Sequence, residues 1–123
     1  MARYAFLIAL GLALAAASPL AVRADTSVSG TWNCTATGEG ASGTNTGKFP
    51  LTLTESNGSV TGSYYDGKAS LAGTRDGITI KGQYKEPTGN GYFQFSIQDN
   101  GNSLIGSWGV QPDQKGGDWY CTR

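Results

Sequence analysis

The side chains that most often carry catalysis are sparse in this sequence. Histidine, the commonest general base and metal ligand, is absent from all 123 residues. Nearly all carboxylates after residue 24 fall at predicted turns or strand ends, where solvation explains them, and no spacing singles out a glycosidase-like pair. The many serines and threonines have no visible base partner. The sequence therefore predicts a protein that is not an enzyme and that uses no cofactor or metal.

The two cysteines, Cys34 and Cys121, lie near the two ends of the chain that follows residue 24. A metal or redox pair is the alternative to a bridge, but the sequence has neither histidine nor a Cys-x-x-Cys motif. In an oxidising compartment two such cysteines most simply form one disulfide. Closing so long a loop restricts the unfolded chain by roughly 4 kcal/mol in the entropy model. We therefore predict a Cys34–Cys121 disulfide.

The first residues have the layout of an export signal. Arg3 precedes an uncharged apolar run over about residues 4–17, and Val22-Arg23-Ala24 places small residues where signal peptidase reads them. A signal anchor is the alternative. However, Pro19 breaks the run, and its strongly apolar part is short for a membrane-spanning helix. We expect cleavage, and with it a secreted or periplasmic location.

Cleavage defines the domain organisation: residues 1–24 form the signal peptide and residues 25–123 form a single domain. The 99 residues that remain can build only one core. Two of the nine basic residues leave with the signal, so the mature net charge is −2. This balance predicts no nucleic acid partner and no membrane binding after cleavage. The expected partner is an unknown small molecule or protein, and a homo-oligomer is left open.

Turn dipeptides divide the mature chain into short alternating segments. Asn57-Gly58, Asp66-Gly67, Asp76-Gly77 and Asn100-Gly101 suit the positive φ angles of tight hairpins. The eight predicted strands lie near residues 27–35, 48–55, 59–66, 69–75, 77–85, 91–99, 102–110 and 117–122. All links but the first are too short for crossover helices, so neighbours in sequence should pair antiparallel.

A five-residue pattern recurs in these strands: an apolar residue, any residue, glycine, any residue and then an aromatic. It occurs at residues 28–32, 60–64, 80–84 and 104–108, and a degenerate copy at 71–75 ends in arginine. Alternation places the apolar residue, the glycine and the aromatic on one face. Facing glycines leave room for large rings and let the sheet coil sharply, as in a narrow barrel. Arg75 should reach solvent at a strand end, since an inward arginine would need a partner.

These features predict an all-β fold, an antiparallel eight-stranded up-and-down meander barrel closed by a disulfide. In a meander with an even number of strands, the first and last strands run antiparallel at the seam where the barrel closes. Cys34 lies on the first of these strands and Cys121 on the last, and each is two residues from a tryptophan. A β-sandwich is the alternative. The positions predicted to be buried are Val28, Trp32, Leu51, Leu53, Val60, Tyr64, Leu71, Ile78, Ile80, Phe93, Phe95, Ile97, Leu104 and Trp108. The positions predicted to be more exposed are Thr52, Thr54, Thr61, Thr79, Lys81, Gln94 and Gln98.

Four segments match the strand order of a known group of barrels, namely Gly30-Thr31-Trp32-Asn33, Val60-Thr61-Gly62-Ser63-Tyr64, Leu71-Ala72-Gly73-Thr74 and Asp118-Trp119-Tyr120-Cys121-Thr122-Arg123. On these segments the chain resembles the avidin and streptavidin group of eight-stranded barrels, and it also resembles small secreted bacterial barrels of unassigned function. In the avidin group an asparagine and a tyrosine at such positions bind the ureido oxygen of biotin, which points to Asn33 and Tyr64. The tryptophans that wall that family's pocket would correspond to Trp108 and Trp119.

Two departures make biotin a minor alternative. The fifth strand lacks the family's Phe-x-Val-x-Trp run, and the sequence stops at Arg123, before the segment that supplies an acceptor to a ureido nitrogen. An unpaired buried donor would cost roughly 1–3 kcal/mol.

The leading hypothesis is a secreted, non-enzymatic binding module for a small molecule or glycan, held at the barrel end or the loops. Its candidate ligand-binding residues are Asn33, Tyr64, Tyr84, Trp108 and Trp119. The alternative is a protein-interaction module, an inhibitor or surface-assembly component, with a fully packed barrel. A cavity among the inward aromatics would favour the first. A filled core with exposed Tyr65, Ile105 and Tyr120 clustered together would favour the second.

Overall fold

The computed structural model describes residues 26–38 and 48–123, so the predicted signal peptide lies outside the described residues. The strands are β1 (Gly30–Ala36), β2 (Lys48–Ser56), β3 (Ser59–Tyr64), β4 (Ala69–Asp76), β5 (Thr79–Glu86), β6 (Gly89–Gln98), β7 (Ser103–Gly109) and β8 (Gly117–Thr122). Each pairs antiparallel with the next, and β8 pairs with β1. The predicted closed, up-and-down barrel is confirmed, and the sandwich is excluded.

The predicted disulfide lies at the seam that closes the barrel. Cys34 on β1 stands directly opposite Cys121 on β8 in the antiparallel ladder. Their sulfur atoms are bonded at 2.00 Å, which confirms the predicted bridge. The bridge joins the first and last strands, so it fixes the pairing that removes the two free edges of the sheet.

The hairpin turns explain one wrong prediction. Asn57 and Gly58 form a two-residue turn with φ angles of 52° and 82°, as their residue types predict. After β4 the two turn residues are Gly77 and Ile78, because Asp76 pairs directly with Thr79. Ile78 was expected to be buried, but 57% of its surface is exposed. It lies in the turn, outside the ladder, so strand alternation does not apply to it.

The inner face of the sheet forms one aromatic and aliphatic core. Apart from Ile78, every position predicted to be buried is buried, and the predicted outer positions are exposed, with Thr79 half-buried. The Trp119 ring has its centroid 5.3–6.2 Å from those of five other rings, namely Phe49, Tyr64, Tyr84, Phe93 and Phe95. These inward aromatics therefore pack against one another as core.

Glycines in mid-strand make this core fit. Gly73 on β4 faces Gly82 on β5. A Cβ atom at Gly73 would lie 3.1 Å from the Phe93 ring and would crowd the Lys81 carbonyl. These glycines therefore do what the pattern predicts: they leave space for large rings, and they let neighbouring strands coil closely.

The two ends of the barrel differ, and we call them the closed end and the loop end. The links after β2, β4 and β6 lie at the closed end, and the links after β1, β3, β5 and β7, which include the two longest, lie at the loop end. Residues 26–29 pack against the closed end, where Val28 is fully buried ahead of β1. The Arg123 guanidinium holds this segment by donating to the Ser27 and Ser29 carbonyls at 2.7 and 2.9 Å.

Arg75 also holds the closed end, contrary to the expectation that it reaches solvent. It occupies the inward aromatic position of its repeat, and its side chain is only 10% exposed. Its guanidinium pairs with Glu55 at 2.9 Å and donates to the carbonyls of Thr26 and Gly77. The register of β4 forces the side chain inward, and the Glu55 carboxylate on β2 compensates its charge there.

Candidate functional site

Four of the five predicted ligand-binding residues come together on the inner face towards the loop end. Tyr64 ends β3, and its hydroxyl donates to Glu86 Oε2 at 2.8 Å. The Tyr84 and Trp108 rings meet edge to face at 6.4 Å, and Trp108 Nε1 donates to the Thr37 carbonyl at 2.9 Å. Trp119 packs beneath Tyr64 and Tyr84. All four rings are buried, so they form the lining of a packed barrel end.

Asn33 does not join this group. Its neighbours Trp32 and Cys34 are buried in the core, and Asn33 between them is exposed. Alternation along β1 therefore puts Asn33 on the outer face of the sheet, whereas Tyr64 lies on the inner face. The structure does not bring together the pair that the resemblance to avidins implies.

Burial and the Glu86 carboxylate together set the pKa values of three phenols at the loop end. Burial, the hydrogen bond to Glu86 and the charge of that carboxylate raise the pKa of Tyr64 far above its usual value. Burial and the same carboxylate raise the pKa values of Tyr65 and Tyr84. The three phenols therefore stay protonated at neutral pH and can act as hydrogen-bond donors.

One buried donor in the core lacks a partner. Trp119 Nε1 has no hydrogen-bond acceptor among the described residues, although its ring is 2% exposed. Leaving such a donor unpaired costs about 1–3 kcal/mol. Trp119 is therefore fixed by ring packing rather than by a polar contact.

A groove of about 520 Å³ lies on the outside of the barrel. Its floor is the outer face of β5, β6 and β7, and its wall is the loop over residues 111–115 that connects β7 to β8. Its polar lining includes Gln83, Tyr92, Gln94, Ser107, Gln111 and Gln114. Four of the five glutamines of the chain therefore line one groove.

The strand register places the floor residues of the groove side by side. Gln83 on β5 is directly opposite Tyr92 on β6, and Gln94 is flanked by Lys81 and Ser107. Because these positions alternate with the core residues, their side chains all point away from the barrel interior. The floor thus presents two amides, a hydroxyl, one aromatic ring and the Lys81 ammonium group to the same space.

The wall of the groove is a folded loop. The backbones of Gln111 and Gln114 pair across a turn made by Pro112 and Asp113, and the Gln114 backbone N–H donates to the Gln111 backbone carbonyl at 3.2 Å. The loop also packs back onto the end of β7, where a Cβ atom at Gly109 would overlap the Gln114 carbonyl oxygen. These contacts hold the two loop glutamines over the floor.

Sequence reasoning missed most of this groove. Of the predicted ligand residues only Trp108 borders it. The available signal was the concentration of glutamines between residues 83 and 114 on outward strand positions and in the last loop. The alternation of inward and outward residues along the strands does not show whether that loop folds back over β5–β7, because this depends on tertiary contacts.

Comparison with known proteins adds no relative. No protein-family model, curated protein or solved structure matches the chain. Of the predicted resemblance to the avidin group, the structure supports the closed eight-stranded antiparallel barrel, and no comparison shows kinship with that group. Within residues 26–38 and 48–123, no three histidine, cysteine, aspartate or glutamate side chains gather as a metal site. In the same part of the chain no helix is long and apolar enough to cross a membrane.

Proposed function

We propose that the mature domain is a secreted, non-enzymatic binding module that holds a short glycan in the groove between β5–β7 and the loop over residues 111–115. The observation that carries this proposal is the gathering of four glutamine side chains around one groove. The disulfide is consistent with export, since such bridges persist in oxidising compartments.

Most of the polar side chains that line the groove are uncharged and suit a hydroxyl-rich ligand, although Lys81, Asp113 and Lys115 also border it. Each carboxamide offers two donors and an acceptor, which match the paired donors and acceptors of sugar hydroxyls. The half-buried Tyr92 ring offers an apolar surface for the C–H face of a sugar ring, and its hydroxyl can bond beside it. The volume of about 520 Å³ lies within the range typical of ligand sites.

Binding without turnover is favoured because the groove lacks paired acid and base groups. Of the described residues that line it, Asp113 alone is acidic, and it is exposed at the tip of the loop. Glycoside hydrolysis in most families uses two carboxyl groups on opposite sides of the scissile bond. The single carboxylate of Asp113 supplies only one of these two groups.

Calorimetric titration of the disulfide-bonded mature domain with cellotetraose, chitotetraose, laminaritetraose and maltotetraose tests the proposal. We expect at least one to bind, and Gln94→Ala to weaken that binding about tenfold because hydrogen bonds from one amide are lost. Gln98→Ala is the matched control, since Gln98 lies on the same strand but outside the groove. Binding by none of these sugars, or equal affinities for the two variants, would contradict the proposal.

A protein-interaction module is the second candidate, and one surface feature favours it. Ile105 and Tyr120 stand directly opposite each other on the outer face of β7 and β8, 50% and 47% exposed. Tyr65 instead packs against Phe49 at the loop end. If the Ile105–Tyr120 pair mediates self-association, light scattering will show a dimer that the Tyr120→Ser variant loses. A monomer at all concentrations would leave the groove as the functional surface.

A further inference from the structure

Among the residues that the structure describes, one carboxylate faces inward at each end of the barrel, and the surroundings of the two differ. At the closed end Glu55 pairs with Arg75 at 2.9 Å and also accepts the Val28 backbone N–H at 3.0 Å. At the loop end Glu86 is the last inward residue of β5 and is half-buried. Among the described residues it accepts one hydrogen bond, from the Tyr64 hydroxyl, and forms no ion pair. Glu86 is thus a partly buried charge without a counter-ion in the described chain.

The mature sequence outside the described residues, namely residues 25 and 39–47, contains no lysine or arginine that could pair with Glu86. At the loop end Lys48, Lys68 and Lys85 are exposed, and Lys85 points to the outer face. A carboxylate withdrawn from water is stabilised when a cation lies close to it.

Three aromatic rings that contact one another lie at the same end of the barrel as Glu86. The ring centroids are 4.8 Å apart for Tyr64 and Tyr65, 5.1 Å for Tyr65 and Phe49, and 5.6 Å for Phe49 and Tyr64. The Tyr64 hydroxyl donates a hydrogen bond to Glu86. Tyr65 is 41% exposed in the turn after β3, and Phe49 is half-buried. The faces of such rings attract a cation within about 6 Å. One carboxylate beside several rings is the arrangement that recognises ammonium groups.

We propose that the loop end binds a small organic ammonium ion, with its charge against Glu86 and its alkyl groups against Tyr65 and Phe49. A metal ion fits less well because calcium takes six to eight oxygen ligands and this end offers one carboxylate. The protonated phenol of Tyr64 fixes one carboxylate oxygen and leaves Glu86 Oε1 for the ligand. None of these residues lines the outer groove, so this site stands whether or not the groove binds a glycan.

Choline and its uncharged isostere 3,3-dimethyl-1-butanol provide the probe, observed as amide shifts in ¹H–¹⁵N spectra of the mature domain at constant ionic strength. We expect choline to give saturable shifts at residues 64–68 and 84–86 and the isostere to give none. Glu86→Gln keeps an acceptor for Tyr64 and should weaken choline binding about tenfold or more. Asp76→Asn, an exposed carboxylate at the closed end, should leave the affinity unchanged.

A second variant protects the test against a folding defect in Glu86→Gln. Tyr65→Leu keeps the carboxylate and the turn but removes one exposed ring face, and should weaken choline binding about threefold. The proposal is overturned if choline gives no shifts, if the isostere binds equally well, or if both variants bind choline as the unaltered protein does.

Discussion

At the scale of single residues, the ion pair between Arg75 and Glu55 shows how the barrel accommodates charge. Both side chains face inward and are only 10% and 16% exposed, yet each has several partners. The pair also fixes residues 26–29, through Thr26 and Val28, against the closed end. The stability of the closed end should therefore depend on keeping both charges.

Replacing Arg75 by methionine should lower the free energy of unfolding by about 3 kcal/mol, because it leaves Glu55 buried without a cation. Lys115→Met is the control, since the Lys115–Asp118 pair is more than 60% exposed and contributes less than about 1 kcal/mol. Urea denaturation measures both changes. Equal, small effects would show that the closed end does not depend on this ion pair.

Stability should also fall at alkaline pH. The raised pKa values of Tyr64, Tyr65 and Tyr84 mean that the folded protein keeps phenol protons that the unfolded chain loses near pH 10. The stabilisation is complete below pH 10 and is lost as the pH rises above it, by up to about 1.4 kcal/mol per pH unit for the buried Tyr64 phenol and by less for the exposed Tyr65. When denaturation is measured between pH 8 and 11.5, the free energy of unfolding should decline less steeply with pH for Tyr64→Phe than for the unaltered protein. Identical declines would contradict the role of Tyr64.

Biotin should bind no more tightly than about micromolar, or −8 kcal/mol. Asn33 faces outward, and the Tyr64 hydroxyl is already bonded to Glu86. The two groups therefore do not converge on one ureido oxygen, and tight binding needs an enclosed, pre-organised pocket. Calorimetric titration checks this. A nanomolar dissociation constant that Tyr64→Phe with Asn33→Ala abolishes would contradict it.

Residue-level expectations failed where the environment of a side chain depends on its exact register. The Arg75 position was correctly placed within the repeat, but its inward partner, Glu55, lies on a different strand. Ile78 has the alternation of β5 but falls in the turn because Asp76 pairs with Thr79. A shift of one residue changes the face of a side chain, and sequence patterns rarely fix boundaries that finely.

At the scale of elements, the strands and their order could be predicted because each has a clear local signal. Alternating apolar residues define the inner face, and Asn-Gly and Asp-Gly pairs mark several turns. The groove had no such signal. It arises because β5, β6 and β7 align Gln83 and Gln94 and because a separate loop folds back over them.

The seam between β1 and β8 should depend strongly on its disulfide. The bridge closes a loop of 87 residues, so replacing both Cys34 and Cys121 by serine should lower the free energy of unfolding by about 4 kcal/mol. That is a large part of the stability of a small domain. Denaturation of the double variant measures the loss. Intact-mass analysis after alkylation without reductant should show no modified thiols in the unaltered protein, and two modified thiols would contradict the bridge.

At the scale of the whole molecule, the barrel separates three surfaces. The closed end is occupied by residues 26–29 and two arginines, and the interior is filled by packed rings. The loop end carries Glu86, and the outer face of β5–β7 carries the groove. A ligand of this protein is therefore expected on the outside of the barrel or at its loop end rather than in its core.

Mapping of amide shifts over the whole domain, with the tightest-binding of the four tetrasaccharides, tests the proposed function most directly. We predict that the shifts concentrate at residues 81–83, 92–94 and 107–115, with the remaining strands unaffected. Shifts spread over the β1–β4 face, shifts confined to Ile105 and Tyr120, or no shifts with any of the four sugars would contradict a glycan-binding groove on this barrel.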